Sequence, residues 1–179
     1  MNIRPLRAGL IPALLLALPG LAMAQAQTDP QMEEQMQQQE PETTTYQDWE
    51  VACIETQGGE RCRMQQTLQI QDEQAQGAYL QASVFRDGDS YIIEILLPLG
   101  VDLRPGILMQ VDDDGEEIEA PYIACVEQGC VAGHELSESQ FNAMRGGSAL
   151  TVGFWPLHGD QPLAFDVSLM GFTDASERL

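Results

Sequence analysis

The chain contains no lysine, and its eight arginines stand against 28 acidic residues for a formal net charge of −20. Phosphate backbones and anionic lipid headgroups attract cations, so this balance argues against nucleic-acid binding and against electrostatic docking on a membrane. Histidine is nearly absent, with His134 and His158 the two examples. Neither sits in a nucleophile motif: there is no G-x-S-x-G, and Ser168 falls inside a strand-like run. Carboxylates are abundant, but abundance is no evidence for a paired-carboxylate site, and no catalytic residue is expected. The eight methionines form no M-x-M or H-x-M cluster of the kind that selects Cu(I). Met64, Met109 and Met170 fall in strand patterns and read as core packing. No metal or cofactor is expected.

Long apolar runs are also missing outside the first 24 residues. There Arg4 and Arg7 precede an apolar stretch from Leu10 to Leu18, and Ala22-Met23-Ala24 supplies an A-x-A cleavage signal. Residues 1–24 read as a secretory signal peptide and not an anchor. The stretch is well short of the about 20 apolar residues that span a bilayer, and Pro12 and Pro19 interrupt it. The mature chain is expected to begin near Gln25, with no membrane span, in the periplasm or at the cell surface and beyond. Residues 25–45 hold mostly Gln, Glu, Pro and Thr, too little apolar surface to offset ordering entropy, and read as a disordered acidic spacer. Residues 46–179 are one domain's worth of chain.

Within that domain the hydrophobic period is two. YLQASVF from Tyr79, YIIEILL from Tyr91, ILMQV from Ile107, ALTVGFW from Ala149 and LAFDVSLMGF from Leu163 alternate apolar with polar or small residues. Turn residues punctuate them at Asp87-Gly88-Asp89, Asp113-Asp114-Gly115 and His158-Gly159-Asp160. Short strands without long helical patterns between them predict an all-β antiparallel sandwich of two sheets. One short helix is expected after Leu136, where Ser137-Glu138-Ser139-Gln140 makes a capping box, ending at Gly146-Gly147 with a left-handed glycine cap. The acidic run Val111–Glu117 suggests calcium, but with Gly115 at position 6 of an EF-hand loop, Gln110 and Pro121 would occupy positions 1 and 12. It reads as a solvated turn between strands over residues 107–111 and 116–123.

Four cysteines behind an export signal read as two disulfides, for which three connectivities exist. The spacings, C-x8-C for Cys53 and Cys62 and C-x4-C for Cys125 and Cys130, suit neither a closed zinc site nor a C-x-x-C redox motif. Local pairing, Cys53 with Cys62 and Cys125 with Cys130, is geometrically the easiest. Each short ring would stabilise by roughly 2–3 kcal/mol in the loop-entropy account.

Several stretches, taken in order, resemble the invasion-associated locus B family. They are Asp48-Trp49 before Cys53, Cys62-Arg63, LLPLGVDLRPGILMQVD from Leu96, Tyr122 before Cys125, Gly129-Cys130-Val131-Ala132, and VSLMGFTDA from Val167. The resemblance covers residues 46–179. It implies a secreted bacterial envelope protein with an immunoglobulin-like or related β-sandwich in which all four cysteines are structural, and it brings no catalytic residues. The family is named for a locus linked to invasion of red blood cells by a pathogen.

The expected function is that of a non-enzymatic interaction module whose partner is an envelope or cell-surface protein or glycan. Its contact surfaces would be the loops Pro98–Pro105 and Leu157–Pro162, since binding residues concentrate on loops held by rigid strands. The alternatives are a carboxylate-dependent glycan hydrolase, which needs a deep cleft with facing carboxyls, and a carrier of a small ligand or cation. Alkylation of the exported, unreduced protein is expected to label no cysteine. Labelling of all four would overturn the assignment of the cysteines as staples.

Overall fold

A computed structural model describes residues 41–70 and 79–179. The signal peptide expected over residues 1–24, and the spacer as far as residue 40, lie outside the described residues. Along the chain come β1 (Glu42–Tyr46), β2 (Trp49–Thr56), β3 (Gly59–Gln69), β4 (Tyr79–Asp87), β5 (Ser90–Leu97), β6 (Ile107–Val111) and β7 (Glu117–Ala120). There follow β8 (Tyr122–Val126), β9 (Gly129–Leu136), α1 (Glu138–Gly146), β10 (Ala149–Phe154), β11 (Leu163–Ser168) and α2 (Phe172–Ser176). Two-residue turns join β1 to β2, β2 to β3, β4 to β5 and β8 to β9, each returning the chain antiparallel beside itself. The result is a seven-stranded sheet, β1-β2-β3-β4-β5-β9-β8, and a four-stranded sheet, β11-β10-β6-β7.

Alternation decides which faces meet. Val51, Met64, Leu80, Ala82, Val84, Ile93, Ile95, Leu97 and Ala132 line the inner face of the larger sheet, and Ile107, Met109, Val111, Ile118, Leu150, Val152, Phe154 and Val167 that of the smaller. These residues form one buried cluster, the single core of an all-β sandwich that is immunoglobulin-like in its two packed antiparallel sheets. Two local disulfides close hairpins of the larger sheet. Cys53–Cys62 and Cys125–Cys130 each join residues directly opposite in register.

The structure departs from the expected elements at five places. Residues 42–45, assigned to the spacer, form β1, an edge strand exposed on both faces and therefore without alternation. The single strand expected over 116–123 is two strands in different sheets, divided at Pro121, which has no N–H to continue a ladder. The run from Leu163 leaves the sheet after Ser168, and Phe172 opens a second helix, α2. Met170, expected in the core, is 59% exposed. Helix α1 has the expected capping box, but its C-cap Gly147 is extended at φ −84° instead of left-handed. Glycine is needed there for space, because a Cβ would strike Cγ1 of Val111.

One inward position on β3 is polar. Gln66, between Met64 and Leu68 on the same face, donates from Nε2 to the carbonyls of Asp48 (3.0 Å) and Ser168 (3.1 Å). Its Oε1 accepts from the Ser168 N–H at 2.9 Å. The Trp49 indole N–H also donates to the Ser168 carbonyl (2.9 Å), and the Ser168 hydroxyl donates to Oδ2 of Asp48 (2.6 Å). The larger sheet is thus tied to the last residue of β11 by a polar clasp built on the buried Gln66 and Trp49 side chains.

Just beyond the clasp Gly171 has φ +87° and lies so close to the β1–β2 turn that a Cβ would strike the Tyr46 carbonyl oxygen. Gly88, in the β4–β5 turn, also has positive φ, +61°, but open space around it. Gly88→Ala is therefore expected to cost about 1–2 kcal/mol, the left-handed penalty alone. Gly171→Ala should cost measurably more in denaturant unfolding, because backbone must move as well. Equal losses at the two sites would show that the turn and α2 do not depend on this approach.

Candidate interaction surface

The two loops read from the sequence as separate contact surfaces are one structure. Leaving β5, the chain runs through Pro98 and Gly100 to Val101, which is 6% exposed and pins the loop into the core. Val101 pairs with Pro156 in an isolated antiparallel bridge. The Asp102 N–H donates to the Trp155 carbonyl and the Leu157 N–H to the Gly100 carbonyl, both at 2.7 Å. Residues 98–106 and 155–162 therefore brace each other. They present Leu99 (60% exposed), Leu103 (50%), Leu157 (52%) and Trp155 (39%) to solvent. Trp155 was missed in the sequence, where it looked like the end of the β10 alternation. Its neighbour Pro156, which ends a ladder, was the available signal.

The charge on these loops is largely cancelled within them. Arg104 grips Asp102 through Nε–Oδ1 (2.9 Å) and Nη2–Oδ2 (2.6 Å), and the Arg104 backbone N–H donates to the same carboxylate. Those bonds, the side-chain pair first, hold the Asp102 carboxyl at about 2, and the pair raises the Arg104 guanidinium in turn.

Tyr122, the first residue of β8, lies near enough to feel the charge of Asp102. Burial first and that charge second push its phenol up to about 12, and its hydroxyl is buried with no hydrogen-bond partner. A raised phenol favours the neutral ring in the fold, so its contribution to stability is complete below pH 10 and is lost as pH rises from there through about 12.

Among the hollows formed by the described residues, two lie elsewhere. The larger, ≈ 270 Å³, opens on the outer face of the seven-stranded sheet between Arg63, Gln81, Ser83, Glu94, Leu96 and the tip of the β8–β9 hairpin. Arg63 lies over the Phe85 ring and bonds to Glu94 at 3.0 Å, so the carboxylate in this hollow is already paired. The smaller, ≈ 50 Å³, sits between α1 and β6–β7 with Glu116 as its one carboxylate. Neither sets two carboxyls face to face as the hydrolase alternative requires.

The remaining sequence candidates have local duties. Asp112 of the acidic turn accepts from the Ser148 and Ala149 N–H groups, fixing the start of β10. His134 bonds to Oε1 of Gln140 (3.1 Å), and that oxygen also takes the Ser137 N–H in the capping box. His158 lies exposed in the 155–162 loop. Cys53 and Cys62 stand in β2 and β3, and Cys125 and Cys130 in β8 and β9, with Cys130 opposite Leu97, the last residue before loop 98–106.

Tyr122→Phe removes an unpartnered buried hydroxyl and is expected to raise unfolding stability at neutral pH by about 1 kcal/mol. The same variant should lose less stability than the parent between pH 10 and 12 in urea titrations. A destabilised variant with unchanged alkaline behaviour would contradict both statements.

Comparison with known proteins gives a consistent answer. The family model described as Invasion associated locus B (IalB) protein matches residues 49–179. An invasion protein B homolog of Brucella abortus (strain 2308) is 31% identical over 137 residues, covering 75% of this chain and 77% of the relative. Invasion protein B of Bartonella bacilliformis is 29% identical over 141 residues, covering 76% and 74%. The crystal structure of invasion associated protein B from Bartonella henselae superposes with a TM-score of 0.67 at 25% identity, over 76% of this chain and 93% of that one. The matched segment takes in Trp49, Gln66 and Ser168 of the clasp, both disulfides and the braced loops: the chain belongs to the invasion associated locus B family.

Proposed function

We propose that this protein is an exported, non-enzymatic interaction module of the bacterial envelope or cell surface, and that it meets its partner through loops 98–106 and 155–162. The observation that carries the reading is the exposure of four large apolar side chains on loops that two backbone hydrogen bonds hold rigid. Exposed apolar groups gathered in one place mark interaction sites, and a braced loop loses little entropy on binding. Export is supported by the leader pattern of residues 1–24 and by two disulfides, which persist in oxidising compartments. Among the described residues no helix is long and apolar enough to cross a membrane. The relatives' names speak of invasion, and for this chain a role in contact with host cells or within the envelope follows from the same surface.

Crosslinking in intact cells, with an affinity tag after Leu179 and mass spectrometry of what is captured, tests the reading. Capture of a reproducible envelope or host-surface component is expected from the parent chain. It should be lost in the variant carrying Leu103→Asp and Leu157→Asp, whose melting temperature should stay near the parent's because both side chains are exposed. Capture that survives this variant would place the contact elsewhere and overturn the proposal.

A further inference from the structure

The loop pair is apolar and nearly uncharged on a chain that is strongly acidic. Asp102, Arg104 and Asp160 are its ionised groups, one net negative charge against −20 for the chain. Leu99, Leu103, Trp155 and Leu157 stand out from it, with Leu108 on β6 and Leu163 at the start of β11 also exposed. Six of the ten large apolar residues exposed among the described residues thus come from these loops and the strand ends that carry them.

We propose that the braced loops dock on the interface of a bilayer of zwitterionic phospholipid. This inference rests on the reading of the loops as the contact surface and names the occupant. Three features select lipid. The amides of Asp102 and Leu157 already have carbonyl partners across the pair, so seating the tip among headgroups strands neither donor. Trp155 offers the amphipathic ring that settles at the headgroup level, with leucines beside it for the acyl boundary. Arg104 spends Nε and Nη2 on Asp102, leaving N–H donors on a highly exposed guanidinium for a lipid phosphate. Charge complementarity sets the lipid type: a tip with one net negative charge suits a neutral surface, whereas an anionic bilayer repels both it and the acidic body behind it. The same charge opposes a second copy as the occupant.

The test uses the purified exported chain with phosphatidylcholine vesicles carrying brominated acyl chains, and with phosphatidylglycerol vesicles at low salt. Co-sedimentation with phosphatidylcholine is expected, together with tryptophan quenching that vanishes in Trp155→Phe, since Trp49 is buried in the core. Binding should weaken about tenfold or more in the Leu103→Asp, Leu157→Asp variant and on phosphatidylglycerol. Absence of both co-sedimentation and quenching on phosphatidylcholine overturns the lipid proposal, and so does equal or tighter binding to phosphatidylglycerol. If vesicles fail while a captured protein is still lost in the double variant, the contact surface stands and a protein groove is its occupant. If both fail, the functional reading falls with the lipid proposal.

Discussion

A single glutamine side chain ties the sandwich together. Gln66 uses its amide on backbone groups from two distant stretches, the β1–β2 turn and the end of β11, while the Trp49 indole reinforces the second. Buried amides are costly unless fully bonded, so the clasp is all or none: once the two sheets are correctly seated it is satisfied, and in a slipped register it is not. It also fixes where β11 must stop. Ser168 gives its carbonyl, N–H and hydroxyl to the clasp, and the chain then turns through Gly171 into α2. From there Phe172 meets Trp49 edge to face at 5.3 Å and Phe141 at 5.7 Å, and Phe141 stacks on Tyr91 at 3.8 Å. An aromatic chain continues what the glutamine begins, carrying both helices onto the core.

Much of this was legible in the sequence, for local reasons. Period-two runs, two-residue turns and the Ser137–Gln140 capping box are short-range patterns, and the strands, hairpins and α1 follow from them. What escaped was either unpatterned or long-range. Thr43, Thr44 and Thr45 lie on an edge exposed on both faces, so nothing marked them off from the polar segment before. The tail after Ser168 kept alternating apolar residues past the point where tertiary hydrogen bonds end the strand. The clasp left one visible trace, a glutamine where Met64 and Leu68 predict an apolar residue, though no local rule names Asp48 before it or Ser168 102 residues later as its partners. Nor does any spacing reveal that loops 98–106 and 155–162 bind each other.

The stretches that resemble the family divide between two tasks. Asp48-Trp49 and Ser168 through Phe172 meet at the clasp, and Cys62, Cys125 and Cys130 hold hairpins, so these motifs belong to the scaffold. The PLGVDLRPG stretch instead forms the exposed loop, with Val101 as its buried pin and Leu99, Leu103 and Arg104 outside. Family membership therefore speaks mainly to how the chain folds. The surface chemistry at the loop pair, with its apolar tip and self-neutralised ion pair, is where functional questions concentrate.

The placement of the disulfides has a consequence for biogenesis. Each bridge joins neighbours across one hairpin, with sequence separations of 9 and 5. Any other pairing would close a loop several times longer, at greater entropic cost. The Cys53–Cys62 hairpin can close without waiting for the second pair, and the Cys125–Cys130 hairpin can follow without disturbing it. Loop closure thus favours this pairing over the two alternatives before the rest of the sandwich has formed.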